Sequence, residues 1–323
     1  MKPACLRRNL LVSLGISLVF LSHIINDRVL LSAMVFYATP WPILLVGALL
    51  SFMLLRGWWK LAALPSLVVG LFALSASFGG FSSAASSTPA VRAATWNAAR
   101  DLSHHPEAWS FDEDIVVIIE AGDMTGVWQE FLAVNPTHQW RRLETGILLG
   151  VKGEIHSTMN RSKHDHYRCI QAEVSTASGG RMDVIAVDIR SQPWLSKKEA
   201  MEVIFKEAPR DLPTLIMGDF NTPHESWTMR KAAGDRFHGS GEAPHRGLRE
   251  TWPAALPLLA IDHIWASDGI LMKSSTREYR GSDHLLLAVE IQVPSPPGPT
   301  FPAPDAPSPD DLGNPPGMPS PIR

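Results

Sequence analysis

Three long apolar runs occupy the first eighty residues, and no other feature constrains the chain as tightly. "NLLVSLGISLVFLSHII" carries one His and no charge, "AMVFYATPWPILLVGALLSFMLL" carries no charge, and "LAALPSLVVGLFALSASFGGF" follows a short basic loop. In hydrocarbon, a stretch of about 20 apolar residues can satisfy its own backbone only as a helix. The runs therefore predict about three transmembrane helices and a membrane region over residues 1–80. A signal peptide followed by buried helices is the competing arrangement, and the length of the second and third runs opposes it. Pro40 and Pro42 interrupt the second run, where Tyr37 and Trp41 suit a membrane–water interface.

Basic residues give these spans a direction. Lys2, Arg7 and Arg8 precede the first run, and Arg56 and Lys60 sit between the second and third. Only Arg28 lies between the first and second. The positive-inside rule then predicts a cytoplasmic N-terminus and a cytoplasmic "RGWWK" loop. After three crossings of the inner (cytoplasmic) membrane, the rest of a bacterial chain is expected in the periplasm or outside the cell.

The flanks of the remaining chain are compositionally simple. Residues 81–90, within "GGFSSAASSTPA", read as a flexible linker. Residues 294–323, rich in Pro and poor in large apolar side chains, read as a disordered tail. Between them, residues 91–293 have the size of one domain. Cys5 and Cys169 are the only cysteines, which leaves no disulfide framework and no Cys-based metal site.

Within residues 91–293, short β-branched runs alternate with a few helical stretches. "VRAATWN", "DIVVIIE", "GILLGVKGEI", "YRCIQAEVS", "MDVIAVDI", "TLIMGDF", "AIDHIWA", "ILMKSSTREY" and "HLLLAVEIQV" read as strands. "TGVWQEFLAV" reads as a short helix. "SKKEAMEVIFKEAP" carries a capping box from Ser196 to Glu199. "TPHESWTMRKAAG" carries another from Thr222 to Glu225, with Pro223 at the first helical position and Gly234 as the stop. Many strands and few helices predict an α/β (α+β) fold with two sheets packed face to face and helices outside.

The strand ends are unusual. "AATWN" ends in Asn97, "IVVIIE" in Glu120, and "LIMGDFN" in Asp219 and Asn221, which would share a face if the strand continued. "LLAID" carries Asp262, and "RGSDH" sets Asp283 and His284 before the final strand. A single polar strand end is ordinary turn chemistry. Several carboxylates converging repel one another unless a cation lies among them, and oxygen donors suit a hard metal.

Asn97, Glu120, "GDFN", "IDHIW" and "GSDH", in this order, resemble the endonuclease/exonuclease/phosphatase superfamily, which includes deoxyribonuclease I-like and exonuclease III-like nucleases. The resemblance spans residues 91–293 and implies a four-layer sandwich, two mixed β-sheets flanked by helices. It implies a metal-dependent phosphoric ester hydrolase using Mg²⁺ or Mn²⁺, with Glu120, Asn97 and Asp283 as metal residues. It further implies that Asp219 orients or deprotonates the attacking water and that Asn221 holds a phosphate oxygen. His284 contacts the scissile phosphate or moves a proton, and Asp262 fixes its tautomer.

One position departs from the family pattern. The strand "VIAVDIRSQPW" places Asp188 where family members commonly carry His or Tyr, and Arg190 could restore the positive charge. A catalytically impaired binding or sensing domain of the same fold is the alternative this substitution raises. "HDH" at 164–166 is a weak candidate for zinc, and His104 and His105 read as a surface loop. Residues 91–293 hold 22 Lys and Arg against 28 Asp and Glu, which lacks the basic footprint of a tight nucleic-acid binder. DNA, phospholipid head groups and small phosphodiesters all stay open as substrates. No obligate protein partner is evident.

Overall fold

The computed structural model describes residues 3–79, 90–144, 146–177 and 180–293. Nearly all of the expected linker and the whole Pro-rich tail lie outside the described residues.

The apolar N-terminal runs form α1 (Pro3–Ile25), α2 (Leu30–Ala38), α3 (Trp41–Leu54) and α4 (Leu64–Ser77). Pro3–Arg28 and Gly57–Ser77 are long and apolar enough to cross a membrane, which points to membrane association. The second run is not straight. It breaks between α2 and α3 with a bend of 83°, and counts as a third span only if the pair is taken together. The cause is local: Pro40 offers no N–H, and Thr39 before it leaves the helical region at φ −124°, ψ 60°. Alone, α3 has 14 residues, a rise of roughly 21 Å against about 30 Å of hydrocarbon.

Twelve strands follow. β1 (Val91–Asn97), β2 (Ile115–Ile119), β3 (Gln139–Glu144) and β4 (Ile147–Val151) come first. Then come β5 (Gly153–Asn160), β6 (Tyr167–Thr176), β7 (Gly180–Ile189) and β8 (Thr214–Asp219). β9 (Phe237–Gly239), β10 (Asp262–Ser267), β11 (Leu271–Tyr279) and β12 (Leu285–Gln292) complete the set. They form two six-stranded mixed sheets, in the orders β11-β12-β1-β2-β4-β3 and β5-β6-β7-β8-β10-β9. The short helices α5 (Trp128–Val134), α6 (Lys198–Met201) and α7 (Trp227–Ala233) accompany them. The expected pair of packed mixed sheets with flanking helices is the observed architecture.

Alternation along the strands builds three apolar layers. Ala93, Val117, Val184 and Met217 meet between the sheets. Their neighbours point outward, Trp96 and Ile118 toward α5 and Ile185 and Ile216 toward α6 and α7. The apolar run "GILLGVKGEI" is two strands rather than one, because the chain crosses between sheets at Lys152. A side chain at Gly153 would run into the Ser175 carbonyl, so the crossing needs glycine there.

Neither expected capping box forms. α6 starts without a side-chain cap and continues as a π-turn over Glu202–Lys206, while Glu199 instead pairs with His164. α7 starts four residues later than its box predicts, capped by Ser226, whose Oγ accepts from the Met229 N–H at 3.1 Å. Thr222 donates to the Phe220 carbonyl and Glu225 pairs with Arg249, so tertiary partners outbid the local box. Gly234 closes α7 at φ 58° as expected.

Candidate active site

β7, β8 and β10 end at one level. Asp188 is the register partner of Asp219, and Asp219 that of Asp262. Each follows the parity of a residue in the inter-sheet core, namely Ala186, Met217 and Ile264. The apolar layer between the sheets thus ends in a row of three carboxylates on strands about 4.8 Å apart. Arg168 on β6 extends the row, opposite Asp188. A side chain at Gly218 would strike the Val187 carbonyl, so the residue before Asp219 must be glycine for β7 and β8 to approach this closely.

The other sheet supplies the groups that face this row. Asn97 ends β1 on the inter-sheet side; its Nδ2 donates to Asp219 Oδ2 at 2.9 Å, and its Oδ1 accepts from the Ala99 N–H. His284 precedes β12 and its Nδ1 lies 2.9 Å from Asp262 Oδ2. With Nδ1–H donated to Asp262, Nε2 is the ring nitrogen left for chemistry. Ser282 locks the two strand ends together: its Oγ donates to the Asn97 carbonyl at 2.7 Å and accepts from the His284 N–H. Thr251 donates to Asp262 Oδ2 at 2.6 Å.

Burial decides the charges. Burial raises Asp219 well above the usual carboxylate range, the facing Asp262 adds to the rise, and His284 opposes it. Burial alone would lower His284, but Asp262 outweighs it, and Asp219 and Asp283 add to the effect, so the imidazole is pushed up to about 9. His284 therefore neutralises one of two buried carboxylates and leaves Asp219 short of a cation. Asp219, Asp262 and His284 each bring a ligand atom to within 4.8 Å of the others. Glu120, Asp283 and Asn97 add oxygen donors around the same cleft, and their partners Arg100, Trp252 and Ala99 leave acceptor capacity on each. The oxygen donors and the charge deficit fit a hard divalent cation.

The remaining expected residues also line this cleft of ≈ 1630 Å³. Glu120 gets there against strand parity. Alternation would send it outward with Ile118, but its backbone turns into the left-handed region at φ 50° and its Oε2 meets Arg100 Nε at 3.0 Å. Asn221 lies beyond the end of β8, with φ 46°, so a turn and not strand alternation aims it. Its backbone N–H and its Nδ2 both donate to Asp219, and Nδ2 also reaches the Ile189 carbonyl. Ala99 and Arg100 share this left-handed conformation, and such positions cluster where a site must be held in one shape. Asp188 is pushed up to about 6, first by burial and then by Glu120, with Arg168, Arg100 and Arg190 opposing. Arg190 is exposed on the cleft wall, and its effect on Asp188 is smaller than those of Arg168 and Arg100.

Several residues of the site gave no sequence signal. Lys197, in a charged stretch that reads as surface, is buried; its Nζ donates to the Asn221 carbonyl, and burial lowers it to about 8 against the pull of Asp219 and Asp27. Thr251 and Trp252 act through Asp262 and Asp283, and Ser282 through the distant Asn97 carbonyl as well as its neighbour His284. His164 pairs with Glu199 and stacks on His166, and among the described residues "HDH" forms no metal-ligating group. His104 and His105 engage Asp101 and Glu107 on an exposed turn.

Comparison with known proteins gives consistent results. Residues 92–284 match the sequence profile of the Endonuclease/Exonuclease/phosphatase family. A Bacteroides thetaiotaomicron protein of that family has a similar solved structure, with 15% identity, TM-score 0.51, and coverage of 63% of this chain and 98% of its own. D. rerio TDP2 complexed with a single-strand DNA product gives 12% identity, TM-score 0.51, and coverage of 63% and 99%. A functionally unknown conserved protein from Enterococcus faecalis gives 20%, 0.50, 63% and 100%. At these identities the structures share the fold. No curated protein sequence matches.

Proposed function

The chain belongs to the endonuclease/exonuclease/phosphatase family, and on that premise we propose that it is a membrane-anchored, divalent-metal-dependent phosphodiesterase. In this proposal residues 1–80 anchor the chain, residues 91–293 carry the catalysis outside the cytoplasmic membrane, and residues 81–90 and 294–323 are linker and tail. One observation carries the chemistry: at the shared end of the two sheets, His284 meets Asp262 and Asn97 meets Asp219, two buried contacts that each bridge from one sheet to the other.

A phosphodiester is anionic, so its hydrolysis needs positive charge, an oriented water and a proton for the leaving oxygen. Asp219 is the residue proposed to orient and deprotonate the water, and its raised affinity for protons suits a base. Asn221 holds a phosphoryl oxygen. His284, kept cationic and oriented by Asp262, donates to the phosphate or to the leaving oxygen. Arg100, Arg168 and Arg190 favour an anion in the cleft. Mg²⁺ or Mn²⁺ held by Glu120, Asn97 and Asp283 would supply electrophilic stabilisation of the phosphoryl group.

Contacts between helices and sandwich support the orientation. The end of α1, the start of α3 and the end of α4 all touch it, through Asn26 to Glu225 and through Trp41 and Ser77 to Glu250. The basic loop at Arg56–Lys60 joins the opposite ends of α3 and α4.

The test is release of p-nitrophenol from bis-p-nitrophenyl phosphate by the full-length protein in detergent. Turnover should require Mg²⁺ or Mn²⁺, stop with EDTA, and fall at least a hundredfold in Glu120→Gln. Full activity in that variant rejects the site. Asp188 favours one other function, a binding or sensing domain with impaired catalysis, because it adds a half-buried carboxylate beside Glu120. Under that function Asp188→His restores turnover that the natural chain lacks.

A further inference from the structure

The cleft has a wall that does not come from the sandwich. Met34, Tyr37 and Ala38 of α2 line it together with Asn97, Asp219 and His284. α2 belongs to the apolar N-terminal region, yet it lies bent by 83° from α3, at the face where the other helix ends meet the sandwich. It is fastened there by its leading turn. Asn26 Oδ1 accepts from the Trp227 N–H at 3.0 Å and Asp27 Oδ1 from the Thr228 N–H at 3.1 Å, the free amides that open α7. Arg28 stacks on the Trp227 ring at 4.8 Å. On the cleft side, the Tyr37 ring lies 5.2 Å from Lys197 Nζ, and that ammonium donates to the Asn221 carbonyl beside Asp219.

α2 carries no charged residue between Leu30 and Ala38. Ala33 and Phe36 are buried, whereas Leu31 is 76% and Met34 41% exposed. Leu31, Met34 and Ala38, spaced by three and four, lie along one side of the helix. One apolar stripe thus runs from the outermost part of α2 to the rim of the phosphoryl site. Pro223, Leu259 and Ile261 continue the apolar lining inside the cleft, while Arg100 and Arg168 stand by Glu120 and Asp188. A water-soluble substrate needs no such approach. A helix lying in the plane of a membrane surface, with its apolar side toward acyl chains, provides one for an amphiphile.

Resting on the phosphodiesterase proposed above, we infer that the substrate is a phospholipid of the bilayer in which the protein is anchored, its acyl chains lying along α2. The phosphodiester enters from the membrane plane. Water adds to phosphorus as one ester P–O bond breaks; the water proton passes to Asp219, and the leaving oxygen takes a proton from His284. The products are a phosphomonoester and an alcohol, one of which stays in the bilayer with the acyl chains.

The experiment uses the full-length protein in vesicles of phosphatidylethanolamine and phosphatidylglycerol. Three probes are compared: the vesicle lipids, their deacylated glycerophosphodiester head groups in solution, and bis-p-nitrophenyl phosphate. We expect hydrolysis of a vesicle lipid at a kcat/KM at least a hundredfold above its deacylated head group, and a tenfold or greater loss on the lipid in Met34→Asp. Equal hydrolysis of lipid and deacylated head group overturns the inference. So does Glu120-dependent turnover of bis-p-nitrophenyl phosphate with intact vesicle lipid, an outcome that leaves the phosphodiesterase standing. Hydrolysis of a single-stranded oligonucleotide in preference to lipid overturns it in favour of a nuclease. Failure of all probes, with and without Mg²⁺ or Mn²⁺, removes the phosphodiesterase and the lipid substrate together.

Discussion

The helices of residues 3–79 bury small and polar side chains beside a few apolar ones such as Phe36 and Leu44, and expose most of their apolar residues, unlike the sandwich of residues 90–293. In the sandwich the closed layers are largely Val, Ile, Leu, Met, Ala and aromatic residues. In the helices Asn9, Ser13, Ser66 and Gly70 sit inside, with Asn9 fully buried, while Leu11, Met53 and Phe72 face out, Met53 at 77% exposure. Small and polar residues at helix–helix contacts with apolar residues outside are what hydrocarbon selects, since lipid gives no reason to hide Leu. The difference teaches that the two regions are built for different solvents, and that α2, apolar outside and hydrogen-bonded to the sandwich through its leading turn, belongs to both.

The largest effect that tests this contrast lies at the polar end of the sandwich. His284→Ala and Asp262→Asn should each lower kcat on bis-p-nitrophenyl phosphate by about 10²–10⁴, the range for a positioned acid or base. The double variant should be little worse than either single, because the pair acts as a unit; additive losses show that the two act separately. Next is a charge on the outer face of each region. Leu14→Asp on α1 should cost about 3 kcal/mol of membrane insertion, read as protein lost from carbonate-washed membranes. Met159→Asp, at an exposed position of β5, should change stability by about 0.5 kcal/mol or less. Equal tolerance of both aspartates removes the contrast in solvent.

Acid should weaken the sandwich through imidazoles buried without charge. Burial pushes His263 down to about 4 and His224 well below its ordinary 6.5. Unfolded chains take up these protons below pH 6.5 and the folded chain does not. The share these two imidazoles contribute is therefore complete above that pH and falls toward pH 4 by about 1.4 kcal/mol per pH unit for each, while the raised proton affinities of Asp219, Asp188 and His284 act in the opposite direction. Melting curves in detergent from pH 7.5 to 5 measure the slope, and His224→Gln should flatten it by one proton's share; an unchanged slope assigns the acid sensitivity elsewhere. The smallest effect concerns the joint between the regions. Asn26→Ala removes the acceptor for the Trp227 N–H and the donor to the Glu225 carbonyl, a loss of about 1 kcal/mol in the melting of the sandwich. No change in melting would mean that the helices do not support α7.

Much of this was legible in local sequence. Hydropathy marked the helices of the first eighty residues, because the length of an apolar run is a one-dimensional quantity. Alternation and β-branched runs marked most strands and the two-sheet class, and abrupt polar ends after apolar strands marked Asn97, Glu120 and Asp219, whereas Asp262 opens β10 instead of ending a strand. Amphipathic spacing and Gly234 marked α7, but not its start, because Ser226, Asp27 and Asn26 together satisfy its first amides and only Ser226 is near in sequence. β3, β9 and the crossing at Gly153 were missed because pairing partners, not composition, define short or polar strands.

By itself, the sequence determined which residues would be apolar, where strands would end in carboxylates, and which family those ends resemble. The tertiary structure decided which of them meet. Asp188, Asp219 and Asp262 form a row because three strands share a register, and Glu120 enters the cleft because its backbone leaves strand geometry. Lys197 and α2 join the site through partners far along the chain. Registers, left-handed turns and the docking of α2 are set by non-local contacts, and their free energy depends on pairs of residues whose proximity no linear pattern encodes.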